Sequence, residues 1–137
     1  MCASANLVDG GAVPGWDVWP SNPAKPTTYV GGKLNIIVTH AAWLAQNIKT
    51  FPVAVGDKFM LFIYGLDTDV TDFTPVLWKY GPNTERAFTK KADGIYEVTS
   101  TFASPSANIW LKSPASRAVV NQSYVKFYGM KVEKIPR

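Results

Sequence analysis

The sequence predicts an all-β protein, a two-sheet antiparallel β-sandwich of jelly-roll type with about eight strands. Three observations carry this. Gly and Pro number 10 each and fall in clusters between short runs, which is the punctuation of strands and turns. Several runs alternate apolar and polar residues with a period of two, as a strand with one buried face must. Heptads, internal repeats and low-complexity linkers are missing, and only residues 41–49 carry some helical propensity. At 137 residues, with 47% hydrophobic and 18% charged, the chain has enough apolar surface for one core and too little length for two ordinary ones. It reads as one domain, 1–137, with an irregular N-terminal segment over 1–32.

The elements follow in order. Residues 6–8 are a short apolar start before Asp9-Gly10-Gly11 and the Pro14-Gly15-Trp16 turn, and residues 19–26 are a loop because Pro20, Pro23 and Pro26 offer no backbone donors. Residues 33–40 alternate, with Leu34, Ile36 and Val38 on one face. Residues 41–49 read as a strand or short irregular element. Gly56-Asp57 turns residues 51–55 into 58–64, apolar on both faces and rich in β-formers, the central strand. Residues 67–74 are a polar loop and 75–80 a strand ending at Gly81-Pro82-Asn83. In residues 95–102, Tyr96, Val98 and Phe102 share a face. Ser104-Pro105-Ser106 breaks the chain before a strand over 108–112, and 123–134 closes it with a bend at Gly129. Leu61, Ile63, Val98, Phe102, Ile109, Leu111 and Phe127 are expected to share one core, with Phe59 and Phe62 also inside.

Composition removes several functions. The formal charge is +4, but the 14 Lys and Arg are dispersed, so dedicated nucleic-acid binding is not expected. No apolar stretch is long enough for a membrane-spanning helix. Cys2 is the only cysteine and His40 the only histidine, which excludes an intrachain disulfide and a His/Cys zinc cluster. No cofactor is expected. Asp67, Asp69 and Asp72 form a carboxylate-rich loop, a weak metal candidate because the Gly and terminal Glu of an EF-hand are missing; a solvated turn is the simpler reading. Nucleophile elbows and phosphate-cradling loops are absent, and Glu85, Glu97 and Glu133 lie in unrelated contexts, so the chain does not read as an enzyme. The N-terminus lacks the basic start and apolar run of a secretory signal.

The order of landmarks adds to this. Asn6-Leu7-Val8, then Gly15-Trp16 with Trp19 close behind, then residues 43–48 (Trp-Leu-Ala-Gln-Asn-Ile) and Val55-Gly56-Asp57-Lys58-Phe59 before the apolar strand, resembles the jelly-roll carbohydrate-binding modules attached to xylanases and glucanases, galactose-binding-like β-sandwiches. Residues 96–102, Ile109-Trp110-Leu111 and 125–132 look like that family's later strands. The resemblance implies the sandwich fold, a glycan ligand and a structural calcium ion held by an N-terminal acid and a last-strand Asp. Here the last strand reads Val-Lys-Phe-Tyr-Gly-Met-Lys over 125–131, with no acid, so the calcium site is not matched.

A glycan site needs flat rings bordered by hydrogen-bonding side chains. Ile109 and Leu111 should take the core face and leave Trp110 and Lys112 outward. Trp16 reads as structural, while Trp19, Trp43, Trp78 and Tyr80 are loop or strand-end aromatics. The expected contact surface is therefore Trp19, Trp43, Trp78, Tyr80 and Trp110, with Gln46, Lys79 and Lys112 beside them. Two functions fit it. The first is a non-catalytic structural or display protein, such as a virion decoration or fibre component made in the cytoplasm and placed on the virion surface, with protein neighbours and room for oligomerisation. The alternative is a secreted or cell-surface glycan-binding module of a polysaccharide-degrading system.

Overall fold

The structure is a computed structural model and describes residues 16–17, 28–30, 33–47, 49–80 and 84–136. It is an antiparallel β-sandwich. One layer runs β1 (Trp16–Asp17), β4 (Trp43–Asn47), β12 (Ser104–Lys112), β8 (Thr74–Lys79), β9 (Thr84–Ala87), with β5 (Phe51–Val53) beside the first half of β12. The other layer is built from two four-stranded ladders. These run β10 (Thr89–Ala92), β11 (Ile95–Thr99), β6 (Lys58–Tyr64), β14 (Gly129–Ile135), and β2 (Thr28–Val30), β3 (Lys33–Ile37), β13 (Tyr124–Phe127), β7 (Asp67–Thr68).

The two ladders of the second layer are continuous. Tyr64 pairs with Gly129 in one, and Asp67 and Thr68 pair with Lys126 and Val125 in the other, all in one register. Tyr64 O accepts the Tyr128 amide at 2.7 Å across the junction. Here both strands step three residues between inward side chains, from Ile63 to Leu66 and from Phe127 to Met130, which kinks the ladder and keeps apolar groups on the core side. Gly65 sits at φ +66°, and a Cβ there would overlap the Tyr128 ring, so this position excludes side chains on two counts.

Period two places the core as the sequence indicates. Leu61, Ile63, Val98, Phe102, Ile109, Leu111 and Phe127 lie in one cluster with Leu34, Ile36, Phe59 and Val132. Phe62 is the exception. It alternates with Phe59, Leu61 and Ile63 on β6, so it faces away from the core and stays half-buried beside Ile95 and Lys131.

Fourteen strands form among the described residues, against about eight expected. A bend splits residues 123–134, read as one strand, into β13 and β14, and Asp67–Thr68 of the expected polar loop form the short strand β7. A β9–β10 crossing between the layers, pinned by buried Phe88, is added. β1 and β2 lie within the segment read as irregular. Ser104-Pro105-Ser106 begins β12 rather than breaking the chain, because Pro105 sits on a stretch where β5 pairs irregularly. The break near Gly129 falls at Tyr128.

His40 has a local structural task. Its Nδ1 accepts the amides of Ala42 at 3.0 Å and Trp43 at 3.1 Å, closing the turn into β4.

Candidate functional site

Odd and even positions of the first layer separate cleanly. On β12, Ile109 and Leu111 enter the core, while Asn108, Trp110 and Lys112 point to the opposite face. On β8, Leu77 is inward, while Val76 and Trp78 join the outer face. The register sets Trp110 between Gln46 of β4 and Val76 of β8, and Asn108 beside Trp78. Six aromatic and polar positions inferred separately from the sequence, Trp43, Gln46, Trp78, Tyr80, Trp110 and Lys112, are thereby brought onto one surface.

The rings form a continuous row. Trp43 and Trp110 have centroids 4.8 Å apart at 76°, Trp110 and Trp78 5.7 Å at 66°, and Trp78 and Tyr80 6.1 Å at 80°. Edge-to-face contacts of this kind lock ring orientations against one another. Tyr80 is 85% exposed at one end of the row, whereas Trp110 is 7% exposed. Trp110 is therefore outward, as the alternation requires, but it forms the floor of the row rather than a freely exposed ring, because Trp43 and Trp78 flank it. Its indole Nε1 is buried with no hydrogen-bond partner among the described residues. It is an unused donor at the centre of the site.

Polar groups border the rings. Lys112 Nζ lies 4.0 Å from the Trp43 ring centroid and 3.0 and 3.1 Å from the two carboxylate oxygens of Glu85. Asn108 Nδ2 donates to Gln46 Oε1 at 3.2 Å and to Asn47 O at 2.9 Å. The Lys112–Glu85 pair neutralises itself, so the row is lined with amides and one compensated ion pair.

The remaining expected residues fall elsewhere. Lys79 alternates with Trp78 and Tyr80, so strand geometry puts it on the other side of β8, paired with Ala107 and Thr84. Trp19 lies outside the described residues, as do the side chain of Trp16 and the whole of Cys2. The sequence reading missed Glu85 and Asn108. Asn108 was accessible from the same period-two rule that turned Trp110 outward, but Glu85 reaches the site only through the β8–β9 register, for which the sequence carries no signal.

Asp67, Asp69 and Asp72 do not assemble into a metal cluster, and among the described residues no group of three metal-ligating side chains exists. Each carboxylate organises its own piece of chain. Asp69 accepts the Tyr124 amide at 2.9 Å, Tyr124 Oη approaches Asp67 at 3.4 Å, and Asp72 accepts the Ser113 hydroxyl and, at 2.8 Å, the Ala115 amide. Burial pushes the Asp72 carboxyl up, but the Ser113 hydroxyl, backbone donors at Ala115 and Asp72, and the Arg117 charge outweigh it and hold it below its usual value. A carboxyl depressed in the folded state stabilises above its unfolded pKa and loses that contribution as pH falls through the folded one. Asp72→Asn is therefore expected to lower the melting temperature at neutral pH and to flatten its decline on acidification. Parallel acid melting curves for wild type and variant would contradict this.

No protein-family model and no curated protein sequence matches the chain. Solved structures do resemble it. The Gap123 glycosylation-associated protein complex from Streptococcus agalactiae aligns over 92% of this chain with a TM-score of 0.56 and 13% identity; the chain spans a quarter of the length of that protein. The structure of accessory secretory proteins 1, 2 and 3 from Streptococcus pneumoniae contains a chain that aligns over 88% of this one and 96% of its own length, with a TM-score of 0.51 and 15% identity. A mutant of CBM29-2, a family 29 carbohydrate-binding module complexed with cellulohexaose, aligns over 96% of this chain and 90% of its own, with a TM-score of 0.51 and 12% identity. At these identities the likeness is one of fold, and an antiparallel β-sandwich shared with these proteins is what it shows.

Proposed function

We propose that the protein is a non-catalytic carbohydrate-binding domain whose outer β4–β12–β8 face holds a glycan chain. The observation that carries this is the row Trp43–Trp110–Trp78–Tyr80, bordered by Gln46, Asn108 and the Lys112–Glu85 pair. Sugar rings present apolar C–H faces ringed by hydroxyls, so aromatic planes with flanking amide and ionic hydrogen-bonding groups match both parts of the ligand. The self-neutralised ion pair favours a neutral polysaccharide over an acidic one. The cellulohexaose-bound module among the similar structures supports the same reading. Affinity electrophoresis against soluble neutral glucans and mannans should retard the wild type. Migration unchanged in every neutral glycan tried, with a folded protein, would overturn the proposal.

A second reading is supported by the two accessory-protein structures. In it the same face is a protein contact and the domain is an assembly component, the virion decoration or fibre role being one form of this. Tryptophan and tyrosine dominate such contacts as well.

A further inference from the structure

Among the described side chains, the outer face of β4, β8, β9 and β12 carries two charges, Lys112 and Glu85. Strand alternation gives the reason. Gln46, Trp78, Asn108 and Trp110 are uncharged outer positions, while Lys79 and Arg86 fall on the opposite side of β8 and β9, Arg86 because its register partner is the inward Leu77. A protein with a formal charge of +4 thus presents a face whose described side chains sum to zero, and one carboxylate makes it so.

The two charges are held differently. Lys112 Nζ lies 4.0 Å from the Trp43 ring centroid on a side chain that is 14% exposed, so the indole and the packed aliphatic stem keep it in place. Glu85 reaches the face from the edge strand β9. Its two oxygens accept Lys112 Nζ at 3.0 and 3.1 Å and make no other hydrogen bond among the described residues. Without Glu85, Lys112 would keep its seat over Trp43 as a largely buried cation with no carboxylate to meet it, and a cation left in that state draws an anion strongly.

We infer that Glu85 sets the charge selectivity of the aromatic row: Lys112 is a receptor for a carboxylate or sulfate on a sugar chain, and Glu85 fills it from within, which closes the row to acidic glycans. The inference rests on the reading of the row as a glycan site and adds the residue that decides between two ligand classes. A uronate arriving at the row finds Glu85 on the cation it needs, and displacing it leaves one carboxylate unpaired. A neutral sugar requires no such exchange, because the Glu85 oxygens keep lone pairs for its hydroxyls.

Affinity electrophoresis of the full-length protein, read against a gel without polymer, tests this with hydroxyethyl cellulose and galactomannan as neutral polymers and carboxymethyl cellulose and carboxymethyl galactomannan as their acidic counterparts. Wild type is expected to bind a neutral polymer at least about tenfold more tightly than its carboxymethylated counterpart. Glu85→Gln keeps the size of the side chain and removes its charge. It should raise affinity for the carboxymethylated polymer at least about tenfold over wild type, and the gain should shrink as salt rises from about 20 mM to about 300 mM. Adding Lys112→Gln should abolish the gain. Adding Lys33→Gln instead, which removes a cation from over the Tyr128 ring in the other layer, should preserve it. A wild type that binds a neutral polymer while Glu85→Gln gains nothing on the acidic one overturns the inference and leaves the glycan reading standing. Equal binding of both polymers by wild type, a gain that survives Lys112→Gln, or one that Lys33→Gln abolishes overturns it as well. No retardation of any of these proteins by any polymer, with urea midpoints showing each of them folded, removes the glycan reading and the inference with it.

Discussion

Phe127→Ala is expected to remove about 3–5 kcal/mol, the usual cost of deleting a fully buried aromatic ring, from a domain whose total stability should be about 5–15 kcal/mol. Phe127 is 0% exposed and ends β13 opposite Leu34, directly before the kink at Tyr128. Its ring fills the interior where the two ladders of the second layer join, so the surrounding strands cannot collapse inward without breaking the register they share. The matched control is Phe62→Ala. That ring lies on the outer face of β6 and is half-buried, so its removal deletes partial packing without opening a cavity and should cost about 1 kcal/mol. Urea denaturation of both variants measures the contrast as a difference in midpoint at unchanged slope. Equal losses would mean that the β6 faces are assigned the wrong way round.

That contrast also shows what the sequence could say about the fold. Alternation placed Leu34, Ile36, Val98, Ile109, Leu111 and Phe127 correctly because one face of each strand must enter the core, and a single-residue slip would reverse all of it. The same rule is silent where both faces are apolar. Residues 58–64 read as apolar throughout, so the sequence put Phe62 inside with its neighbours, and only the register with Ile95 and Lys131 shows it outside. Strand breaks were illegible for a related reason. The kink at Gly65 and Tyr128 depends on two residues 63 positions apart meeting across a ladder, and neither Gly65 nor Tyr128 alone distinguishes a kink from an ordinary strand.

The site was legible in its members more than in its arrangement. Trp110 and Lys112 follow from the core assignment of Ile109 and Leu111, and Trp43, Gln46, Trp78 and Tyr80 from the chemistry of ring-lined surfaces. Their convergence depends on long-range register, which joins residues 46, 76 and 110. Lys79 was included because it adjoins two aromatics in sequence, yet adjacency along a strand is what separates side chains. Glu85 was missed because its partner, Lys112, is contributed by a different strand.

The burial of Trp110 decides which substitutions can test the surface. Trp110→Ala is expected to cost about 3–5 kcal/mol of stability, because it withdraws the ring on which both Trp43 and Trp78 rest edge-to-face. Loss of binding in that variant would therefore report a collapsed floor as readily as a lost contact. Tyr80→Ala is the informative change. Tyr80 is 85% exposed and touches the row only through Trp78, so its removal should alter stability by no more than about 0.5 kcal/mol. If the row holds a sugar chain or a partner protein, the same change should weaken the complex about tenfold, equivalent to about 1.4 kcal/mol. Isothermal titration with the retarding glycan, beside a urea midpoint, separates the two effects. A stable Tyr80→Ala protein with undiminished affinity would place the contact elsewhere along the row. Trp78→Phe then becomes the deciding variant: it keeps an aromatic ring against Trp110 and removes the larger indole plane. Undiminished affinity there as well would leave the row as packing that covers the outer sheet face, with no ligand resting on it.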